Sequence, residues 1–259
     1  MLLATYSLWA RDVIRFYRQR SRVIGALGTP VVFWLLLGSG LGSSFRVNAD
    51  APVNYLQYFF PGTLALIVLF TAIFSTISVI EDRREGFLQG VLVAPVPRAP
   101  IVAGKILSGT TLAVLQAMLF LLLAPAAGIG LRADLLLPLI VALLTLAFAL
   151  TGLGFLVAWQ LDSTQGFHAV MNLLLVPMWL LSGAVFPAEG ATWWIRAIMW
   201  ANPMTYGVTA LRVVLEGEPS VTGGGLPSSA MPLLVVLVFG CATAAIGVVC
   251  VRSKQGRLS

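Results

Sequence analysis

Five consecutive charged residues, Glu81-Asp82-Arg83-Arg84-Glu85, end a stretch (51–80) that holds no Asp, Glu, Lys or Arg. Acids and bases packed this densely make charge-assisted hydrogen bonds, the chemistry of docking rather than of bond breaking. The segment after them, Gly86-Phe87-Leu88-Gln89-Gly90-Val91-Leu92-Val93-Ala94-Pro95-Val96-Pro97-Arg98, joins a short apolar-faced run to two prolines. A helix over about 84–93 would start after Asp82, with acids near its positive end. Pro95 and Pro97 would end it, because proline lacks the N–H donor and disfavours helix in the residue before it. Phe87, Leu88, Val91 and Leu92 give this helix an apolar face. Whatever grips such a helix tilts the segments on either side. A solvated loop of charges would need neither the apolar face nor the rigid Pro-x-Pro exit.

No other grouping in the sequence supports a reaction. The phosphate-cradling pattern G-x-x-x-x-G-K-[ST] is missing, since Gly104-Lys105 is followed by Ile106 and no glycine stands five residues before Gly104. An ATP-driven step would therefore use another polypeptide. His168 is the only histidine, which leaves Ser75, Ser78, Ser108 and Ser182 without a set of candidate bases and offers no metal cluster. Cys241 and Cys250 lie in the last apolar run and form no C-x-x-C pattern. The reading is of no catalytic residue, no metal and no bound cofactor.

The elements that must position the charge cluster are membrane helices. Of 259 residues, 59% are hydrophobic and 10% charged, and mean hydropathy is +0.95; a soluble domain carries about 25% charged residues. Runs free of Asp, Glu, Lys and Arg cover 23–45, 51–80, 106–131, 135–161, 163–188 and 219–251. Each exceeds the roughly 20 residues that cross a bilayer. Spans are placed at 23–42, 57–80, 102–124, 136–159, 167–186 and 231–251. The first run is too long for a cleaved leader's apolar core and reads as retained. With both termini cytoplasmic, Arg11, Arg15, Arg18, Arg20, Arg22, Arg83, Arg84, Arg98, Lys105, Arg252, Lys254 and Arg257 share one side, against Arg46, Arg132, Arg196 and Arg212 on the other. That is a positive-inside bias. It accounts for the net charge of +6 without nucleic acid, and it makes the 81–101 loop cytoplasmic. No Asp, Glu, Lys or Arg falls near the middle of any span, where ion-coupled transporters usually place them.

Residues 3–21 read as an amphipathic helix. Arg11, Arg15, Arg18 and Arg22 fall within roughly 60° of one another at 100° per residue. Trp9, Val13, Phe16 and Tyr17 take the other side; Ile14 and Arg20 break the pattern. Such a helix lies in the interface, as an anchor or as a surface for a cytoplasmic subunit. On the far side, Trp193, Trp194 and Trp200 cluster as at a head-group belt. Two short helices, 191–200 and 204–216, meet at Asn202-Pro203. Neither is long enough to cross, and a broken pair that dips into the outer leaflet must keep its freed backbone groups within protein or a wet cavity; the plain alternative is a cap that seals the fold. Gly223-Gly224-Gly225 opens a loop into the last span. Phe33, Trp34, Phe70, Phe74 and Trp179 are candidates for lining a substrate path. Thr151-Gly152 and Gly154 permit close helix approach, at a dimer seam or in ordinary packing.

Three stretches together resemble the ABC-2 type transporter permeases. They are the loop Glu85-Gly86-Phe87 through Pro95-Val96-Pro97-Arg98 with Ile101 and Gly104-Lys105; Tyr58-Phe59-Phe60-Pro61-Gly62; and Asn202-Pro203-Met204-Thr205-Tyr206-Gly207 with Ala210-Leu211-Arg212. The resemblance covers essentially the whole chain as a single domain. It implies an all-α membrane protein with six transmembrane helices, an N-terminal interface helix (Trp9, Arg11, Arg15, Phe16, Arg18), a cytoplasmic coupling helix and short outer re-entrant helices before the last span. By the resemblance, Glu81 through Leu88 with Val91, Leu92, Pro95 and Arg98 engage a nucleotide-binding subunit. Trp193, Trp194, Trp200, Asn202, Pro203 and Tyr206 form the outer gate. Gln89-Gly90 departs from the longer polar face that many relatives carry. The resemblance implies an exporter in a bacterial inner membrane, with two ATPase subunits that use ATP and Mg2+, a second permease copy (identical or related) and membrane lipids as partners. Cargo would be an amphipathic or hydrophobic small molecule, a lipid or a lipid-linked glycan. The rival readings are a non-transporting scaffold or assembly factor with this fold, and a channel or secondary transporter.

Overall fold

The computed structural model describes residues 2–41, 55–93, 97–216 and 230–253. Pro95 lies outside the described residues, as do the glycines 223–225 and Arg46, Lys254 and Arg257 of the charge count. The described chain is helical, with no strand. Its elements are α1 (Leu2–Arg18), α2 (Arg20–Leu41), α3 (Tyr55–Arg84), α4 (Phe87–Val93), α5 (Ala99–Leu121), α6 (Ala133–Gln160), α7 (Thr164–Trp179), α8 (Trp193–Ala201), α9 (Pro203–Glu216) and α10 (Met231–Ser253). Six helices are long and apolar enough to cross a membrane: α2, α3, α5, α6, α7 continued to Ala184, and α10.

The bundle is built around α3. Of its apolar window 89% is buried, against 22% for α2 and 28% for α10. Helices α2, α5 and α6 pack on α3, and α10 packs on α6 and α9. Small residues set the spacing. A side chain at Gly152 would meet Thr243 of α10, and one at Gly154 would meet Ile73 and Thr76 of α3. Both glycines of the 151–154 segment therefore serve packing within the chain. Helix α1 crosses α5 at a similar contact, where a Cβ on Gly104 would lie 2.9 Å from Leu8 Cβ and 3.1 Å from the Thr5 carbonyl oxygen.

Most element bounds shift by a few residues from the sequence reading, and three of the differences have a local reason. Helix α3 has 30 residues, about 45 Å at 1.5 Å per residue, longer than the roughly 30 Å hydrocarbon core. It thus runs through the charge cluster to Arg84 instead of stopping at 80, because basic side chains of α1 and α5 neutralise its acids. Gly86, at φ 78°, then stops it in the left-handed conformation that glycine adopts at low cost. The short helix consequently begins at Phe87, three residues later than expected. The fifth span breaks after Trp179: Leu181 (ψ 22°) and Gly183 (φ 78°) leave the helical region within Leu180–Ala184.

Candidate functional site

The end of the bundle where α3 stops and α5 starts holds a buried ionic network. Asp82 is fully buried and receives both arms of Arg11, Nη1 at 2.9 Å and Nη2 at 2.7 Å. Arg15 donates to the same carboxylate at 2.8 Å. Lys105, itself buried, pairs with Asp82 and, at 2.7 Å, with Asp12. Around this centre Arg22 pairs with Glu81, and Arg15 reaches Glu81 at 3.2 Å and Glu85 at 2.8 Å. Four carboxylates (Asp12, Glu81, Asp82, Glu85) balance four cations (Arg11, Arg15, Arg22, Lys105). Balance is what burial demands, since an unpaired charge removed from water costs several kcal/mol (~3–5 when one partner is deleted). The hydrogen bond to Asp82 raises the Arg11 pKa above its ordinary value, so Arg11 stays charged.

The five clustered charges are thus engaged within the chain. Arg83 pairs with Asp162 at 2.7 Å, donates to the Trp159 carbonyl at 2.7 Å and lies 5.0 Å from the Trp159 ring. Arg84 Nε donates to the Asp162 carbonyl at 3.0 Å. These two arginines tie the end of α3 to the turn between α6 and α7, while Glu81, Asp82 and Glu85 tie it to α1. On α4, Leu88 is buried, Val91 is half-buried, and Gln89 and Gly90 are exposed. The Phe87 ring is exposed on one side and carries the Arg11 guanidinium 3.7 Å from its centroid. Arg98 is half-buried and directly precedes α5; the side chain of Leu92 lies outside the described residues.

The interface-helix residues divide the same way. Leu8, Asp12 and Phe16, spaced by four, form the buried face of α1. The Trp9 indole donates to Thr111 Oγ1 at 3.0 Å. Arg18 is exposed, as are Leu3, Tyr6, Ile14 and Tyr17, which leave an apolar stripe on the outer face of α1. The guanidinium groups of Arg11 and Arg15, on a helix read as an anchor or a surface for a cytoplasmic subunit, turn to acids of their own chain. Asp12 and Lys105 are the residues that sequence reasoning missed. The available signal was an acid at i, i+4 spacing between Leu8 and Phe16, and a lone lysine inside an apolar helix.

At the opposite end, the broken turn 180–184 frees carbonyls that low-dielectric surroundings require to be paired. Asn202 Nδ2 donates to the carbonyls of Met178 (2.6 Å) and Leu181 (3.2 Å), while its Oδ1 accepts from the Met204 N–H and caps α9. Tyr58 donates its hydroxyl to the Gly183 carbonyl and Tyr55 to that of Val185, each at 3.2 Å. Arg212, buried, donates at 3.3 Å to the carbonyls of Tyr58 and Gly183, with its guanidinium 4.4 Å from the Tyr58 ring centroid. Gly62 lets α3 approach this turn: a Cβ there would lie 2.8 Å from the Ala184 carbonyl oxygen. Pro203 opens α9, where a missing N–H costs nothing, and Tyr206 donates its hydroxyl to the Trp200 carbonyl at 2.8 Å. Trp193, Trp194 and Trp200 project from α8, 82%, 52% and 49% exposed.

The five path candidates do not form one surface. Trp34 is buried among Phe60 and Phe120, its indole donating to the Leu56 carbonyl at 3.0 Å. Trp179 is buried and donates to the Gly62 carbonyl at 2.9 Å. Phe33 faces outward from α2. Phe70 and Phe74 stack at 5.5 Å on the partly exposed edge of α3, and Phe74 lies 5.7 Å from the His168 ring. Phe74 lines a cavity of about 330 Å3 with Arg22, Gly25, Ile77, Glu81, Thr164 and His168, where α2, α3 and α7 meet.

Residues 4–215 match the family model of the ABC-2 type transporter. The chain is 28% identical over 219 residues to nodulation protein J of Rhizobium leguminosarum bv. trifolii, covering 83% of this chain and 82% of that protein. It is 26% identical to nodulation protein J of Rhizobium meliloti over 92% of this chain and 90% of that one. To the daunorubicin resistance ABC transporter permease DrrB1 of Streptomyces coeruleorubidus it is 26% identical, over 85% and 77%. The family match spans nearly all of α1, the charged network, α4 and the Asn202 clamp alike. The chain therefore belongs to the ABC-2 type transporter family, as a multi-pass membrane subunit of the kind that works with an ATPase subunit.

Proposed function

We propose that this chain is the permease of an ATP-driven exporter, acting as a pair of copies with two ATPase subunits in a bacterial inner membrane. The observation that carries the reading is α4: a seven-residue helix between two spanning helices, held on the bundle by Leu88 and Phe87 and exposing Gln89 and Gly90. A groove on an ATPase that receives this exposed edge would move α4 as ATP closes the subunits, and ATP and Mg2+ are used there rather than on this chain. The charge balance of the network supports the same reading, because acids satisfied within the chain leave the exposed edge of α4, Gln89 and Gly90, as the contact surface. The Phe70–Phe74 stack and the adjoining cavity form the route for an amphipathic cargo, drawn from the cytoplasm or inner leaflet and released past the Asn202 clamp. A small molecule, a lipid and a lipid-linked glycan all fit a wall that pairs aromatics with Arg22, Glu81 and His168.

The test is recovery of the tagged chain from its native membrane in mild detergent, with mass spectrometry of what accompanies it. A P-loop ATPase is expected in stoichiometric amount, and Phe87→Asp is expected to reduce its recovery at least tenfold with normal permease levels. Recovery of the wild-type chain alone would favour a scaffold or assembly role.

A further inference from the structure

We propose that Arg11 is the positioning residue that carries movement of α4 into the bundle; this rests on the reading of α4 as the ATPase contact. Gly86, in its left-handed turn, separates α4 from α3. Among the described residues, Phe87, Leu88 and Val91 hold α4 across that turn. Leu88 and Val91 do so by packing, which is non-directional. Phe87 lies under the Arg11 guanidinium at 3.7 Å, and that same planar group holds Asp82 through both its arms. One side chain thus joins α4, α3 and, through its own backbone, α1. Asp82 extends the link to α5 through Lys105 and, via Lys105, back to Asp12 of α1. Arginine suits this position for two reasons. Its fork matches both carboxylate oxygens, and its flat face stacks on an aromatic ring; lysine offers a point charge that does neither as well. Arg11 acts through its bonds to Asp82 and its contact with Phe87, so its effect is on geometry.

The experiment uses the intact complex with its co-purified ATPase in lipid nanodiscs. Cys241 and Cys250 are replaced by Ser, and spin labels are placed at Ser7 on α1 and Val249 on α10, both exposed. Distances between them are measured without nucleotide and after trapping with ATP and vanadate. In the parent protein, trapping is expected to shift the distance distribution. Phe87→Leu, which leaves every ion pair in place, is expected to cut that shift to less than half while the nucleotide-free distance stays at the parent value. Phe87→Trp, which restores an aromatic face to the cation, is expected to recover it. Arg11→Lys should behave as Phe87→Leu does. A full shift in both Phe87→Leu and Arg11→Lys overturns the proposal, and so does a loss in Phe87→Trp equal to that in Phe87→Leu. Failure of the parent chain to retain an ATPase overturns the transporter reading itself, which separates the two failures.

Discussion

At the scale of single residues, burial decides which charges matter. The Arg132–Asp134 pair stands in the open, its side chains 74% and 59% exposed, whereas Lys105 and Asp82 are 2% and 0% exposed. Exposed pairs contribute about 0–1 kcal/mol, while stripping one partner from a buried pair costs roughly 3–5 kcal/mol. Arg132→Ala should therefore change stability by no more than about 0.5 kcal/mol. Lys105→Met should destabilise by about 3–5 kcal/mol, because it leaves buried Asp12 with only Arg11, at 3.3 Å, as an ion-pair partner and Asp82 with only Arg11 and Arg15. The pairing makes a sharper statement than either magnitude. Adding Asp12→Asn to Lys105→Met removes the more weakly paired of the two buried carboxylates, so the double variant should be more stable than Lys105→Met alone. Unfolding in mixed micelles checks this, and simple additivity of the two losses would refute the network as described.

At the scale of elements, the Asn202-Pro203 junction shows how a short motif repairs a break elsewhere in the fold. Asn202 serves the start of α9 with its oxygen and the end of α7 with its nitrogen. Asn202→Ala loses all three bonds, and a buried unmet group costs about 1–3 kcal/mol. Asn202→Asp keeps the cap on Met204 but sets a carboxylate against two carbonyl oxygens. It should therefore destabilise more than Asn202→Ala in the same unfolding assay; an aspartate variant as stable as the parent would show that the nitrogen's bonds contribute nothing. This junction also marks what the sequence could disclose. Apolar runs and the Gly and Pro punctuation are local properties, so the spans, the α8–α9 pair and the presence of a short helix after the charge cluster were all legible. The partner of Asn202 lies in a turn about twenty residues upstream, and the partners of Asp82 lie at 11, 15 and 105. Such pairings follow from packing between helices, which leaves no periodic trace. Lys105 read as a topology signal and Asp12 drew no notice, although both are central to the buried network.

At the scale of the whole molecule, the two ends of the bundle are chemically unlike. One gathers the α1 arginines, the end of α3, α4 and Arg252; the other presents three exposed tryptophans and a clamp made largely of carbonyl hydrogen bonds. A lipid bilayer fixes orientation through such asymmetry, because lysine and arginine are retained on the cytoplasmic side. The proposed docking of an ATPase on α4 demands that same orientation, so a single topology measurement tests both. With Cys241 and Cys250 replaced by Ser, Gly190→Cys beside α8 and Gln89→Cys on α4 place thiols at exposed positions on opposite ends. A membrane-impermeant maleimide should label Gly190→Cys in intact cells and Gln89→Cys only after permeabilisation. Gly190 suits the purpose because a side chain there meets nothing within 4 Å, and Gln89 because its side chain makes no part of the network; the permease is expressed without its ATPase, so that the proposed contact does not cover Gln89. Labelling of Gln89→Cys in intact cells would place α4 beyond the reach of any cytoplasmic ATPase. The coupling role of α4, the Arg11 link and the outward direction of transport would then fall together, while the helical fold and the family would stand.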